Sequence, residues 1–158
     1  MIRHANAADL DVIARFIREL AEYERLGHEV RFDRDTLARH LFGERPMAEV
    51  LIAEADGRPA GFALFFHSFS TFEGRPGVYL EDLFVVPEAR GRGLGRGLLA
   101  RLARIAVERG CARLDWQVLD WNEPSKAFYR ALGARQGAGW EPFRVQGDAL
   151  ARLAGEAA

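Results

Sequence analysis

The stretch EARGRGLGRGLL, residues 88–99, places four glycines at alternate positions and leads into an apolar, arginine-rich segment. Glycine loses more conformational freedom on folding than any other residue, so four in one loop indicate that a ligand approaches the main chain closely. Leu94, Leu98, Leu102 and Ile105 follow at helical spacing and predict a helix that begins within the glycines. Free N–H groups at a helix N-terminus bind anions, so the stretch predicts a phosphate site.

The glycine spacing does not fit two common phosphate-binding loops. A dinucleotide-binding loop needs G-x-G-x-x-G, but an arginine or a leucine stands at the last position, depending on whether the count starts at Gly91 or Gly93. A P-loop needs a lysine after its last glycine, and no lysine follows here. Residues 90–95 read R-x-x-G-x-G instead, directly after a predicted strand. Three arginines add positive charge around the loop: Arg90, Arg92 and Arg96.

Length and composition favour one domain, residues 1–158, because about half of the 158 residues are hydrophobic and can form one core. The sequence has no apolar run of transmembrane length and no signal-peptide pattern at its N-terminus. We therefore expect a cytoplasmic protein that does not bind membranes.

The cysteine and histidines indicate no metal site. Cys111 is the single cysteine, so no internal disulfide can form, and the four histidines lack metal-ligand spacing. A nucleophilic role for Cys111 is disfavoured because no histidine lies near it in sequence.

The hydrophobic periodicity predicts the order β-α-α-β-β-β-α-β-α-β. Asn6 and Asp9 resemble the start of a first helix, and Asp33 the start of a second. Two strands follow, joined by the turn DGRP, and then the strand GVYLEDLFVV before the glycines. The segment ARLDWQVL predicts a further strand, and NEPSKAFYRALG a short helix with proline in its first turn.

Three segments together resemble the GNAT superfamily of N-acetyltransferases. They are YLEDLFVVPEARGRGLG (79–95), WNEPSKAFYRALGA (121–134) and IRELAEYE (17–24), and they are similar to the diamine (spermidine/spermine) acetyltransferase branch. The resemblance covers nearly the whole chain. It implies an α/β fold with a mixed, mostly antiparallel sheet whose central parallel strands splay apart, flanked by helices, and a homodimer.

The same resemblance implies that acetyl-CoA is the cosubstrate. Its pantetheine arm would lie along the strand before the loop, its pyrophosphate on the glycines, and its thioester sulfur near Tyr129. The cofactor-binding residues implied are Leu83, Phe84, Val85, Arg90, Gly91, Arg92, Gly93, Leu94, Gly95, Arg96, Asn122, Pro124, Ser125 and Tyr129.

A polyamine substrate would lie against a second group of residues. These are Tyr23, Glu24, Glu81, Asp82, Asp115, Trp116 and Gln117. The first 80 residues hold 13 acidic and 10 basic residues, which suits a cationic acceptor with at least two positive charges.

Acetyl transfer to an amine needs a base and an acid. An alkylamine with a pKa near 10.4 arrives protonated, so a base must remove a proton before attack. Glu81, acting through water, is the candidate base, and since Glu81 and Asp82 are consecutive in a strand we expect one on each face. A phenol can protonate the departing thiolate, and Tyr129 is the candidate acid.

Other functions remain open. Residues 90–113 contain seven arginines and a single acidic residue, Glu108, which is a composition that nucleic-acid-binding surfaces can have. The near-neutral net charge and the scarcity of lysine argue against nucleic-acid binding. The acceptor could be another small amine or an aminoglycoside. A non-catalytic acyl-CoA-binding module would keep the loop but not need Tyr129.

Overall fold

A single sheet with the strand order β1-β2-β3-β4-β5 runs through the first part of the chain in the computed structural model, which describes residues 1–157. Its strands are β1 (Ile2–His4), β2 (Glu49–Ala55), β3 (Arg58–Ser70), β4 (Arg75–Val85) and β5 (Leu114–Trp116). The helices are α1 (Leu10–Tyr23), α2 (Arg34–Phe42), α3 (Leu94–Glu108), α4 (Glu123–Ala131) and α5 (Gly147–Ala154). Neighbouring strands are antiparallel except β4 and β5, which are parallel. The predicted mixed α/β fold is confirmed.

Residues 1–119 and the residues from Asp120 onward form two compact units. The first holds the sheet with α1, α2 and α3, and the second holds α4 and α5. The organisation of residues 1–158 as one functional domain stays a prediction.

Side chains fix the short 3-10 helix, Ala7–Asp9, that leads directly into α1, at the place where the sequence predicts a helix start. The Asn6 side chain accepts a hydrogen bond from the Ala8 N–H (2.9 Å), and the Asp9 carboxylate accepts one from the Asn6 N–H (2.8 Å). This arrangement satisfies N–H groups that a helix start would otherwise leave unpaired. Arg3 of β1 donates two hydrogen bonds of 2.8 Å to Asp9 and so joins the strand to the helix start.

Helices α1 and α2 cover one face of the sheet. Phe16 of α1 packs on Phe62 of β3 and Phe84 of β4, with ring centroids 5.7 and 5.8 Å apart. Leu64 belongs to the same buried cluster. Because side chains alternate along a strand, the neighbouring Phe65 points to the opposite face, where α3 packs.

Strand β4 contains a bulge at the point where its pairing with β5 ends. Leu64 pairs with Asp82, while the next residue of β3, Phe65, pairs with Leu80, so Glu81 is the extra residue. The last β4–β5 pair joins Leu80 to Trp116. Among residues 1–157, no pairing between these strands extends beyond it. The pairing ends where β5 ends, so β5 is shorter than the segment ARLDWQVL suggested, and the splay of the two parallel strands stays a prediction.

The second unit differs from the sequence prediction after α4. Asn122 caps α4 by accepting a hydrogen bond from the Ser125 N–H (3.2 Å), and Gly133 ends the helix region with a φ of +90°. The predicted final strand is wrong. Residues 134–146 adopt neither helix nor strand, and the stretch GDALARLA forms α5 instead. Gly139 with a φ of +86° interrupts an extended chain, and Leu150 and Leu153 follow helical spacing.

Candidate active site

The bulge in β4 places two carboxylates on one face of the sheet. Tyr79 pairs with Phe66 and their ring centroids lie 5.1 Å apart, so Glu81, two residues further on, faces the same side. Asp82 pairs directly with Leu64, which is part of the core beneath α1. The expectation that Glu81 and Asp82 point to opposite faces is therefore wrong, because the extra residue shifts the alternation by one position.

A third carboxylate, Glu24, comes from the end of α1. Burial raises the pKa of Glu24, and the negative charge of Glu81 raises it further. Burial also raises the pKa of Asp82 to about 7, with additional contributions from the charges of Glu81 and Glu24. We call these three residues the acidic cluster.

The acidic cluster can bind cations and exchange a proton near neutral pH. A carboxyl whose pKa lies near 7 holds a proton part of the time and accepts one readily. The sequence alone indicated Glu81 as the base, whereas the structure gives Asp82 the pKa that suits a proton acceptor. No local sequence signal distinguishes the two, because the burial of Asp82 depends on the register between β3 and β4.

Arg90, the first residue of the glycine loop, lies at the end of β4. Its Nε donates a hydrogen bond to the carbonyl of Val85 (3.0 Å). Its guanidinium carbon lies 5.2 Å from the ring centroid of Tyr23 and 5.9 Å from that of Phe84. The structure therefore places Tyr23, the residue before Glu24 in the chain, beside the glycine loop.

The glycine loop has the backbone that its sequence predicts. Gly91 and Gly93 have φ values of +76° and +81°, which side-chain-bearing residues rarely adopt. Gly93 stands at the N-cap of α3, where no described side chain accepts a hydrogen bond from the helix N–H groups and no acidic residue lies in the first turn. An anion can therefore bind these N–H groups, and Leu94 and Gly95 provide the first positions of the helix.

The three loop arginines differ in their contacts. Arg92 donates two hydrogen bonds, of 2.8 and 3.1 Å, to Asp56 in the turn between β2 and β3. Arg90 contacts Tyr23 and Phe84 as described, and Arg96 is exposed on α3. The side chains of Arg90 and Arg92 thus both contact other residues of the protein.

The open edge of β4 consists of Leu83, Phe84 and Val85. Phe84 is buried against Phe16, while the main chain of the three residues continues past the end of β5. Main-chain groups on such an edge can form hydrogen bonds with an extended ligand in the way a neighbouring strand would.

The three candidate residues of β5 and its end lie further along the sheet. Asp115 pairs with Tyr79 in the register and forms an ion pair of 2.6 Å with Arg113. Burial, with the charges of Glu81 and Asp115, raises the pKa of Tyr79. Trp116 pairs with Leu80, and Gln117 directly follows the end of β5.

The remaining candidates belong to the second unit. Asn122 is buried and caps α4, and Pro124 and Ser125 form its first turn. The ring of Tyr129 lies 5.4 Å from that of Phe128, centroid to centroid. The roles of these residues stay predictions.

Comparison with known proteins identifies the family. The sequence model of the acetyltransferase (GNAT) family matches residues 13–134. The chain belongs to the GNAT family. It is an acetyltransferase, and enzymes of this family use acetyl-CoA as their cosubstrate.

Several relatives of this GNAT chain extend over almost its whole length. The thialysine N-epsilon-acetyltransferase of Bos taurus is 42% identical over 99% of this chain and 98% of its own. The spermidine/spermine N(1)-acetyltransferase-like protein 1 of Homo sapiens is 33% identical over 98% of this chain and 24% of its own. An integron cassette protein from the mobile metagenome of V. cholerae has a solved structure with a TM-score of 0.80, 32% identity and coverage of 98% and 96% of the two chains.

Two further findings describe the GNAT chain. Within residues 1–157, no helix combines the length and apolar character that crossing a membrane requires. The same residues contain no group of three or more His, Cys, Asp or Glu side chains arranged to hold a metal ion.

Proposed function

We propose that this GNAT enzyme acetylates a primary amine of a small molecule that carries at least one further positive charge, such as thialysine or a di- or polyamine. The observation that carries this proposal is the acidic cluster of Glu24, Glu81 and Asp82. A cluster of three carboxylates attracts a dication more strongly than a single ammonium group. The relatives named for thialysine and spermidine/spermine acetylation support the same substrate class.

The proposed cosubstrate site combines the glycine loop with the open edge of β4. The uncapped N-terminus of α3 fits a pyrophosphate, and the left-handed glycines let it approach the main chain. The edge formed by residues 83–85 fits the amide-bearing pantetheine arm. On the basis of the WNEPS motif, we also propose that Asn122, Pro124 and Ser125 bind the cosubstrate. When bound, acetyl-CoA supplies the acetyl group as an activated thioester.

The proposed proton transfers involve the acidic cluster and one tyrosine. The substrate ammonium loses a proton to Asp82 or, through water, to Glu81, and its nitrogen lone pair then bonds to the acetyl carbon. The carbon–sulfur bond breaks as the tetrahedral intermediate collapses, and Tyr129 donates its phenolic proton to the thiolate. The nitrogen loses its second proton to solvent as the amide forms, and solvent returns a proton to the Tyr129 phenolate. The FYRALG motif and the acidity of phenol relative to a thiol support this role for Tyr129.

We further propose that the enzyme is a cytoplasmic homodimer that binds neither nucleic acid nor membranes. The side chains of Trp140 and Phe143 are 89% and 96% exposed, which supports their burial against another chain. The net charge of −1 supports the absence of nucleic-acid binding.

The substrate proposal is tested by measuring thiol release from acetyl-CoA with thialysine, ornithine, spermidine, an aminoglycoside and a monoamine. We expect the compounds with two or more nearby positive charges to be the best substrates. Glu24→Gln and Glu81→Gln should raise the KM for these amines. Glu44→Gln, which changes an exposed glutamate just after the end of α2, should leave the KM unchanged. Equal KM values in all three variants would contradict the role of the acidic cluster. Acetyl-CoA binding with no accepted amine would favour a non-catalytic module.

A further inference from the structure

Arg90 has contacts that its place in a pyrophosphate loop does not explain. Its Nε donates to the Val85 carbonyl (3.0 Å), and its guanidinium lies over Tyr23, at 5.2 Å from the ring centroid, and over Phe84, at 5.9 Å. One side chain thus joins the end of β4, the glycine loop and the end of α1. Stacking of this kind uses the planar face of a guanidinium, which a lysine lacks.

The end of α1 closes with a strained cap. Arg25 follows the helix with a φ of +62°, a conformation that glycine normally provides in this position. The cap closes through hydrogen bonds from the Arg25 N–H to the Glu22 carbonyl (3.0 Å) and from the Leu26 N–H to the Ala21 carbonyl (2.8 Å). A side-chain-bearing residue in this region costs about 1 kcal/mol or more relative to a right-handed conformation.

Glu24 lies between these two features. It follows Tyr23, the residue under the Arg90 guanidinium, and precedes the strained Arg25. The charge of Glu24 raises the pKa of Asp82, and the charge of Glu81 raises the pKa of Glu24, so the position of Glu24 affects the electrostatics of the acidic cluster. Movement of the helix end would take Glu24 away from the other two carboxylates.

We propose that Arg90 is a positioning residue for the amine site: its guanidinium holds Tyr23, and through Tyr23 the cluster residue Glu24, against the end of β4. This inference rests on the proposed function, because it assumes that the acidic cluster binds the amine. It assigns Arg90 a second role beside the pyrophosphate role that the loop motif implies. Because this arginine also begins the glycine loop, it links the cosubstrate site to the position of Glu24.

The substitution Arg90→Lys tests the proposal, since it keeps the positive charge and removes the planar face. An exposed cation–π contact is worth enough to change an equilibrium about two- to five-fold. We therefore expect the KM for the amine to rise by this factor with little change in kcat. We also expect hydrogen exchange at the Arg25 and Leu26 amides to accelerate by a similar factor, because these amides close the cap.

Arg18→Lys is the matched control. The Arg18 guanidinium lies 4.9 Å from the centroid of the Phe32 ring, so this change also removes an arginine–aromatic contact of α1, but one that does not involve the glycine loop. It should leave the amine KM and the exchange at Arg25 and Leu26 unchanged. The Tyr23→Leu variant, at a side chain that is 41% exposed, should reproduce the effect of Arg90→Lys, and combining the two should add nothing further.

The two readouts separate this inference from the proposed function. Unchanged exchange at Arg25 and Leu26 in Arg90→Lys would overturn the inference whatever the activity. Fully additive effects of Arg90→Lys and Tyr23→Leu on the amine KM would also overturn it. An altered affinity for acetyl-CoA alone would limit Arg90 to the pyrophosphate. If exchange accelerates as expected but the parent enzyme accepts no amine, the proposed function fails while the support of the helix end by Arg90 stands.

Discussion

Replacing Asp82 with asparagine should stabilise the protein increasingly as the pH rises. Burial raises the pKa of this carboxyl from 3.8 to about 7, helped by the charges of Glu81 and Glu24. Because the pKa of the folded state lies above that of the unfolded state, the folded protein binds the proton more tightly. The contribution of Asp82 to stability is therefore complete below pH 4 and is lost as the pH rises through 7. Asparagine has the same shape and does not ionise, so its contribution does not change with pH.

The pKa shift sets the size of the effect. The difference between 3.8 and about 7 is roughly three units, and each unit corresponds to about 1.4 kcal/mol. Asp82→Asn should therefore gain up to about 4 kcal/mol of unfolding free energy relative to the parent between pH 4 and pH 8. The gain should come with weaker amine binding, as is common when a strained active site is relaxed.

Urea denaturation at pH 4.5, 6 and 8 measures this change directly. The difference in unfolding free energy between Asp82→Asn and the parent should grow at each step. The Glu44→Gln control, at an exposed carboxylate, should follow the pH dependence of the parent. A constant difference across the three pH values, or an asparagine variant less stable than the parent at pH 8, would refute a buried and electrostatically coupled Asp82.

Two further substitutions test the cosubstrate site and the proton donor. Gly93→Val should abolish the thermal stabilisation by acetyl-CoA. It should also destabilise the free protein by about 1–2 kcal/mol, because valine is strained at a φ of +81°. An unchanged thermal shift with acetyl-CoA would exclude the loop as the binding site. Tyr129→Phe should reduce turnover at saturating substrates by about 100-fold or more while acetyl-CoA affinity, measured by calorimetry, hardly changes. Turnover within a few-fold of the parent, when chemistry limits the rate, would make Tyr129 a packing residue.

Local sequence signals predicted much of the fold. The Asn6 cap, the Asp-Gly turn between β2 and β3 and the glycines before α3 each determine their own backbone, so they form as expected. Asp56 and Gly57 have φ values of +52° and +75°, as a tight two-residue hairpin requires. Such features depend on few neighbours in the chain and can be read without the tertiary structure.

The acidic cluster was only partly predictable. The resemblance implies its three members, but the strand LEDLFV alternates in a way that hides the bulge at Glu81. The bulge depends on how β4 pairs with β3, and the raised pKa of Asp82 depends on the burial that follows from it. The contacts of Arg90 with Tyr23 are equally tertiary, since 67 positions separate the two residues in the sequence. Long-range pairing therefore determines the features that matter most to the proposed chemistry.

The central claim is that this GNAT enzyme acetylates small amines with more than one positive charge. The most direct test is a competition in which acetyl-CoA with a labelled acetyl group meets an equimolar mixture of thialysine, ornithine, spermidine, an aminoglycoside and a monoamine. Mass spectrometry then identifies every product that carries the label. We predict that the label appears first on an amine nitrogen of thialysine or a di- or polyamine, and that Glu81→Gln reduces this preference. Preferential labelling of the monoamine, or coenzyme A release without any labelled amine, would contradict the proposed substrate class. Preferential labelling of the aminoglycoside would keep the requirement for several positive charges but exclude thialysine and the di- and polyamines as the preferred substrates.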